Sequence, residues 1–191
     1  ENPARTGFAH LFEHLMFRGT RAVENFDLPV QMASGDNNAF TNNDYTDFYI
    51  TLPKDNLETA LWLESDRMEG LDITPAKLEA EKKVVIEEFR QRYLNQPYGD
   101  QTMLLRALAY KVHPYRWAAI GLATDHIAGA TLADVESFYR AHYRPSNAIL
   151  SISADMEEEW MLELAEKWFA PLADHPSETA AIPQEPVQTQ A

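Results

Sequence analysis

A chain of 191 residues with 45% hydrophobic and 11% aromatic side chains carries enough apolar material for one globular domain with a sizeable core. Its formal charge of −14 argues against a nucleic-acid binder, because phosphate recognition needs clustered Lys and Arg; an acidic surface aids solubility and can steer basic peptides. Cysteine is absent, which excludes disulfides and thiolate metal sites, and no apolar run approaches the roughly 18–20 residues of a membrane span.

The chain opens on Glu1 with no signal-like segment, and is read as truncated at its N-terminus. Residues from about Gly7 to Phe17 have the spacing of a helix, with Phe8, Leu11, Phe12, Leu15 and Met16 on one side and Gly19 where a C-terminal cap belongs. A short helical stretch around Leu28–Ala33 leads into a turn at Ser34–Asn38. Two strands are predicted, Ala39–Asn42 and Asp47–Leu52, the second alternating Phe48, Ile50 and Leu52 against Tyr49 and Thr51. Lys54 to Glu69 predicts a helix. Thr74-Pro75 starts another, with an N-cap hydroxyl and proline at the first helical position, running to about Leu94. Further helices are predicted from about Asp100 to Val112, from Thr131 to about Tyr143, and from Met156 to Phe169, with Asn147–Ser153 as a short apolar strand. From about Ala173 the chain turns to Pro, Ser, Thr, Glu and Gln, the composition of a linker or tail. The expectation is an α+β domain over 1–172, built on a single mostly antiparallel sheet covered by helices on one side, followed by a Pro-rich tail over 173–191.

One motif carries chemistry. His10 and His14 stand four apart with Glu13 between them. On a helix, positions i and i+4 project from one face about one turn apart, so both imidazoles can reach one metal ion, and Glu13 sits on the same side. A carboxylate beside a metal-activated water can take its proton. Chance alone produces this spacing in roughly one chain in sixty of this composition, so the motif by itself leaves room for two solvated histidines and an unrelated glutamate. A catalytic zinc site needs a third protein ligand on another rigid element. The helix opened by Thr74-Pro75 offers Glu79, Glu81, Glu87 and Glu88. Glu81 and Glu88 are two turns apart and share a face, so one carboxylate can bind metal while the other supports a histidine. Surface pairing with Lys82, Lys83 and Arg90 is the competing reading of these acids.

Four blocks in order resemble the pitrilysin/insulinase family of zinc metallopeptidases, the inverzincins. They are His10–His14 within Thr6–Thr20; Asn38-Ala39-Phe40-Thr41 leading to Asp44-Tyr45-Thr46; Glu81–Glu88; and Tyr143–Ala148 running to Ala154-Asp155. The resemblance spans about residues 1–172 and implies the metallohydrolase fold of the mitochondrial processing peptidases. It implies one Zn2+ held by His10, His14 and Glu88, Glu13 as general base, and Glu81 as a supporting carboxylate. It also implies that Asn38, Ala39 and Phe40 pair with a peptide or unfolded protein substrate as an added strand. The family's full unit joins two related domains, so a second homologous domain or subunit is implied as partner. Ala154-Asp155 stands where the family more often has Gly-Asp.

A zinc endopeptidase is therefore the leading expectation, with this stretch weakly active or inactive alone. A non-catalytic scaffold or partner subunit of the same fold is the alternative, and such relatives usually lose the metal-site residues that are present here. A lyase with the same histidine spacing would need a cysteine. His113, His126, His142 and His175 read as surface or locally bonded residues, and Trp62, Trp117, Trp160 and Trp168 as core. Compartment is left open, a bacterial periplasm or cytoplasm being consistent with the resemblance.

Overall fold

The computed structural model describes residues 1–174 and 181–189. Helix α1 (Phe8–Leu15) starts at Gly7, whose φ of 90° and close approach to the Ile120 carbonyl exclude a side chain: a Cβ there would lie 2.5 Å from that oxygen. Helix α2 (Asp27–Met32) leads into a hairpin of β1 (Asp36–Thr41) and β2 (Thr46–Thr51). The strands are antiparallel, in register from Asp36↔Thr51 to Thr41↔Thr46. Then come α3 (Leu57–Glu69), α4 (Pro75–Phe89), α5 (Gln101–Ala109), α6 (Thr124–Ala128), α7 (Leu132–His142) and α8 (Glu158–Phe169). This mixed helical and antiparallel arrangement is the α+β class that the pattern implies, with a sheet of two strands among the described residues.

The hairpin alternates exposed and half-buried positions, and Asn37, Ala39, Thr41, Thr46, Phe48 and Ile50 form the inner set. Helix α1 packs against both strands and against α4 and α7. Its buried Phe8, Leu11, Phe12 and Leu15 join Leu78, Val85 and Phe89 of α4, together with Ile127 and Val135, in the larger core. On α4 the buried positions Leu78, Glu81, Lys82, Val85 and Phe89 recur at helical spacing, so two charged residues stand in an otherwise apolar stripe. A smaller core gathers Val23, Phe26, Val30 and Leu63. Beside it, the almost fully buried Arg67 places its guanidinium 4.3 Å from the Phe26 ring centroid and 4.4 Å from that of Phe48, and ion-pairs with Glu64.

Several expectations need correction. Asn147–Ser153 is not a strand: residues 145–147 form a 3₁₀ turn and 148–153 run on with no strand assignment. Its apolar residues satisfy the pattern, but no neighbouring strand among the described residues supplies a hydrogen-bonding ladder, and Ile149 is 98% exposed. Strand β1 begins three residues earlier than expected, because pairing with Thr51, Ile50 and Tyr49 satisfies the backbone of Asp36, Asn37 and Asn38 despite their poor strand propensity. The long helix from Pro75 is α-helical only to Phe89 and closes with a π turn over Arg90–Leu94. Helix α5 stops at Ala109, short of Val112, and the backbone N–H groups of Lys111, Val112 and His113 donate instead to the Glu185 carboxylate at 2.6, 3.0 and 2.8 Å. Glu185 lies in the described part of the Pro-rich stretch; positions 175–180 and 190–191, including His175, lie outside the described residues. Helix α6 has no counterpart in the pattern, being only five residues long. Of the tryptophans read as core, Trp117 is buried but Trp160 is 40% exposed. No helix among the described residues is long and apolar enough to cross a membrane.

Candidate active site

Helices α1 and α4 cross so that the motif of the first faces the acidic positions of the second. His10 and His14 lie one turn apart on α1, with ring centroids 4.9 Å apart and planes inclined by 72°. From α4, Glu88 Oε2 lies 3.6 Å from His10 Nε2 and 3.4 Å from His14 Nε2. The other oxygen of Glu88 is held by Arg92 Nη2 at 3.0 Å, which turns Oε2 toward the imidazoles. One ligand atom from each of His10, His14 and Glu88 lies within 4.8 Å of the other two.

Glu81 reaches the other side of His14, its Oε2 3.3 Å from Nδ1, while Arg18 ion-pairs with Oε1. Glu81 beside Nδ1 and Glu88 beside Nε2 bracket the ring, so an ion taking the place of the Nε2 proton would leave Nδ1–H facing Glu81. Burial opposes protonation of His14, yet hydrogen bonds to Glu81 and Glu88 outweigh it and raise its pKa to about 9. Glu88 is held below the ordinary carboxylate range, chiefly by its hydrogen bond with His14. Burial drives His10 the other way, toward the neutral ring. Its Nδ1 is buried without a hydrogen-bond partner among the described residues, so packing orients this ring. Glu87 points away and pairs with Arg90 at 3.5 Å.

The donor set fits a divalent ion of zinc type. Ligands about 2.1 Å from one ion in a tetrahedral arrangement stand roughly 3.4 Å from one another. Both imidazole–Glu88 separations, 3.4 and 3.6 Å, are near that edge and longer than a charge-assisted hydrogen bond of about 2.8 Å. Two imidazoles and one carboxylate also leave a fourth position open, as catalytic zinc sites do.

Glu13 lies on the same helix and is half-buried; its Oε2 accepts a hydrogen bond from the Thr41 hydroxyl of β1. Asn38, Ala39 and Phe40 lie on that strand: Ala39 is half-buried opposite Phe48, whereas Asn38 and Phe40 face outward, Phe40 45% exposed. A cavity of about 490 Å³ opens beside Glu13 and His14 and is bordered by Phe17, Glu24, Asp27 and Asn38. The remaining described histidines are engaged elsewhere: His126 Nδ1 meets the Thr6 hydroxyl at 2.9 Å, His113 Nδ1 accepts from the Tyr115 N–H, and His142 packs on Phe138. Sequence reasoning gave no role to Thr41 or Arg18. Thr41 lay inside a motif block, but its partner is 28 residues away, a distance that helix periodicity does not bridge.

The family model described as "Insulinase (Peptidase family M16)" matches residues 1–118, and one described as "Peptidase M16 inactive domain" matches residues 129–191. The zinc protease PqqE of Helicobacter pylori is 34% identical over 174 residues, covering 90% of this chain and 39% of that protein. A probable mitochondrial-processing peptidase subunit beta of Arabidopsis thaliana is 24% identical over 186 residues, covering 95% of this chain and 34% of that protein. The chain thus spans well under half the length of these curated relatives. The crystal structure of a protease from Helicobacter pylori superposes with a TM-score of 0.87 at 34% identity, over 97% of this chain and 45% of that one. The first half of the periplasmic protease PqqL from Escherichia coli shares the fold, with a TM-score of 0.81 at 24% identity over 96% of this chain and 41% of that one.

Proposed function

This chain belongs to the insulinase family of peptidases, family M16, and from that premise we propose that it is the zinc-binding part of a metalloendopeptidase acting on peptides or unfolded proteins. The observation that carries the reading is the convergence of His10 and His14 from α1 with Glu88 from α4. These three side chains hold zinc, and Glu81 fixes the tautomer and orientation of His14. When bound, the ion supplies Lewis acidity that makes water acidic near neutral pH. Glu13 takes the proton of the attacking water and delivers it to the departing amine, so that no acyl-enzyme forms. The outer edge of β1 at Asn38–Phe40 pairs with the substrate backbone, a mode that tolerates varied side chains. Residues 1–172 form this domain, and a second homologous domain or subunit completes the active unit. The relatives' greater length and the subunit naming of the processing peptidases support that last point.

The test is Glu13→Gln in the full-length protein. Zinc content stays at one per domain, and turnover of a fluorogenic peptide falls by about 10²- to 10⁴-fold, the range of a lost general base. Turnover that survives this substitution removes Glu13 from the role. A wild-type protein that binds zinc yet cleaves no peptide would instead favour the scaffold reading.

A further inference from the structure

Thr41 donates to Glu13 Oε2, and its oxygen lies 3.1 Å from the hydroxyl of Thr46, its cross-strand partner at the end of the hairpin. A carboxylate only accepts, so the single proton of Thr41 must point at Glu13. Thr41 then has only lone pairs left for Thr46, whose proton is committed to it. The chemistry at one end fixes the polarity of the relay, from the Thr46 hydroxyl to the Thr41 hydroxyl to the carboxylate. Tyr143, the residue that closes α7, packs beside the hairpin. Its ring stacks on Phe12 and Tyr139 with centroids 5.3 and 5.7 Å away, and Phe48 of β2 meets it edge-on at 6.3 Å. Phe12 immediately precedes Glu13 on α1.

We infer that Thr41, backed by Thr46, is the positioning residue that sets the rotamer of the Glu13 carboxylate. This inference rests on the general-base reading of Glu13. A glutamate half-exposed on a helix surface otherwise samples several staggered rotamers, and only those facing the metal site are productive. The hydrogen bond on Oε2 selects one of them, and Oε1, which has no hydrogen bond among the described residues, is left as the oxygen that meets the water proton. The hydroxyl is part of a cross-strand pair on two hydrogen-bonded strands, so it moves with the hairpin rather than with α1. Substrate-strand pairing on β1 and placement of the base on α1 are thereby tied to one element. Thr41, Thr46 and Tyr143 all lie in the motif blocks that pointed to the family, where periodicity assigned them nothing.

The experiment compares Thr41→Val, Thr41→Ser and Thr46→Val with Glu13→Gln in the zinc-loaded full-length protein. Valine matches threonine in shape and removes only the hydroxyl. Thr41→Val is expected to lower kcat by about 10- to 100-fold, the cost of a slightly misplaced catalytic group, with KM and zinc content unchanged. Thr41→Ser restores kcat to within about threefold, and Thr46→Val gives a smaller loss than Thr41→Val. A crystal structure of Thr41→Val shows the Glu13 carboxylate in more than one rotamer. Wild-type kcat in Thr41→Val, loss of zinc in parallel with activity, or failure of serine to restore kcat would each overturn the inference. If Glu13→Gln is inactive while Thr41→Val behaves as wild type, only the positioning role falls. If Glu13→Gln remains active, the general-base reading falls and takes this role with it.

Discussion

His14 sits between two carboxylates that ask different things of it. Glu81 faces Nδ1, is 1% exposed and is ion-paired to Arg18, so it cannot rotate toward an ion without losing that pairing. Glu88 faces both Nε2 atoms and keeps its second oxygen on Arg92. Glu87, one residue earlier on the helix and about 100° around it, is exposed and bound to Arg90. This division predicts a sharp contrast between adjacent substitutions. Glu88→Gln should weaken zinc affinity by more than about 100-fold, beyond the usual loss on removing a supporting partner of a metal ligand, whereas Glu87→Gln should change it by less than about threefold. Competition with a chromophoric chelator reads both; equal losses would contradict the assignment of the third ligand. At this scale much was legible. The histidines and Glu13 share one helical turn, and the seven-residue step from Glu81 to Glu88 follows helix geometry. Contacts such as Thr41–Glu13 were not, because they depend on how a hairpin docks on a helix.

At the scale of elements, the hairpin is held to the rest of the fold partly through Arg67 of α3. Its guanidinium lies between Phe26 and Phe48, with Phe17 centred 5.6 Å away, and the Glu64 carboxylate neutralises it. Burial pushes the pKa of Glu64 up, and Arg67 is the group that opposes this rise. Removing the guanidinium alone leaves a desolvated carboxylate without its cation. Arg67→Met should therefore cost about 3 kcal/mol, and the Arg67→Met, Glu64→Leu pair should cost less than the single change, because both charges leave together. Urea unfolding of the full-length variants measures this; a double variant less stable than Arg67→Met would contradict it. Nothing in the sequence marks Arg67, whose burial arises from three aromatic residues on separate elements. The helices were legible where caps or periodicity were strong, as at Thr74-Pro75 and at Thr131, which forms a capping box with Asp134. The apolar run 147–153 misled, because strand formation depends on a neighbour and not on the run itself.

Across the whole molecule, the stretches matched by the two family models share one hydrophobic core. Phe8, Leu11, Phe12 and Leu15 from the first pack with Ala130 and Val135 from the second. The metal-site helix is thus supported by residues on both sides of that division, Tyr143 among them through its ring stacked on Phe12. The fold alone does not decide between enzyme and scaffold. One fold can host a catalytic site in one protein and lack it in another. The enzyme reading requires first that three side chains from α1 and α4 hold one ion. Anomalous diffraction at the zinc edge, from crystals of the full-length protein, measures this directly. The account predicts a single peak in this domain, about 2.0–2.2 Å from a ring nitrogen of His10, a ring nitrogen of His14 and a carboxylate oxygen of Glu88. A peak bonded to Glu81 or Glu87 in place of Glu88, or no peak between the two helices in the presence of excess zinc, would contradict it.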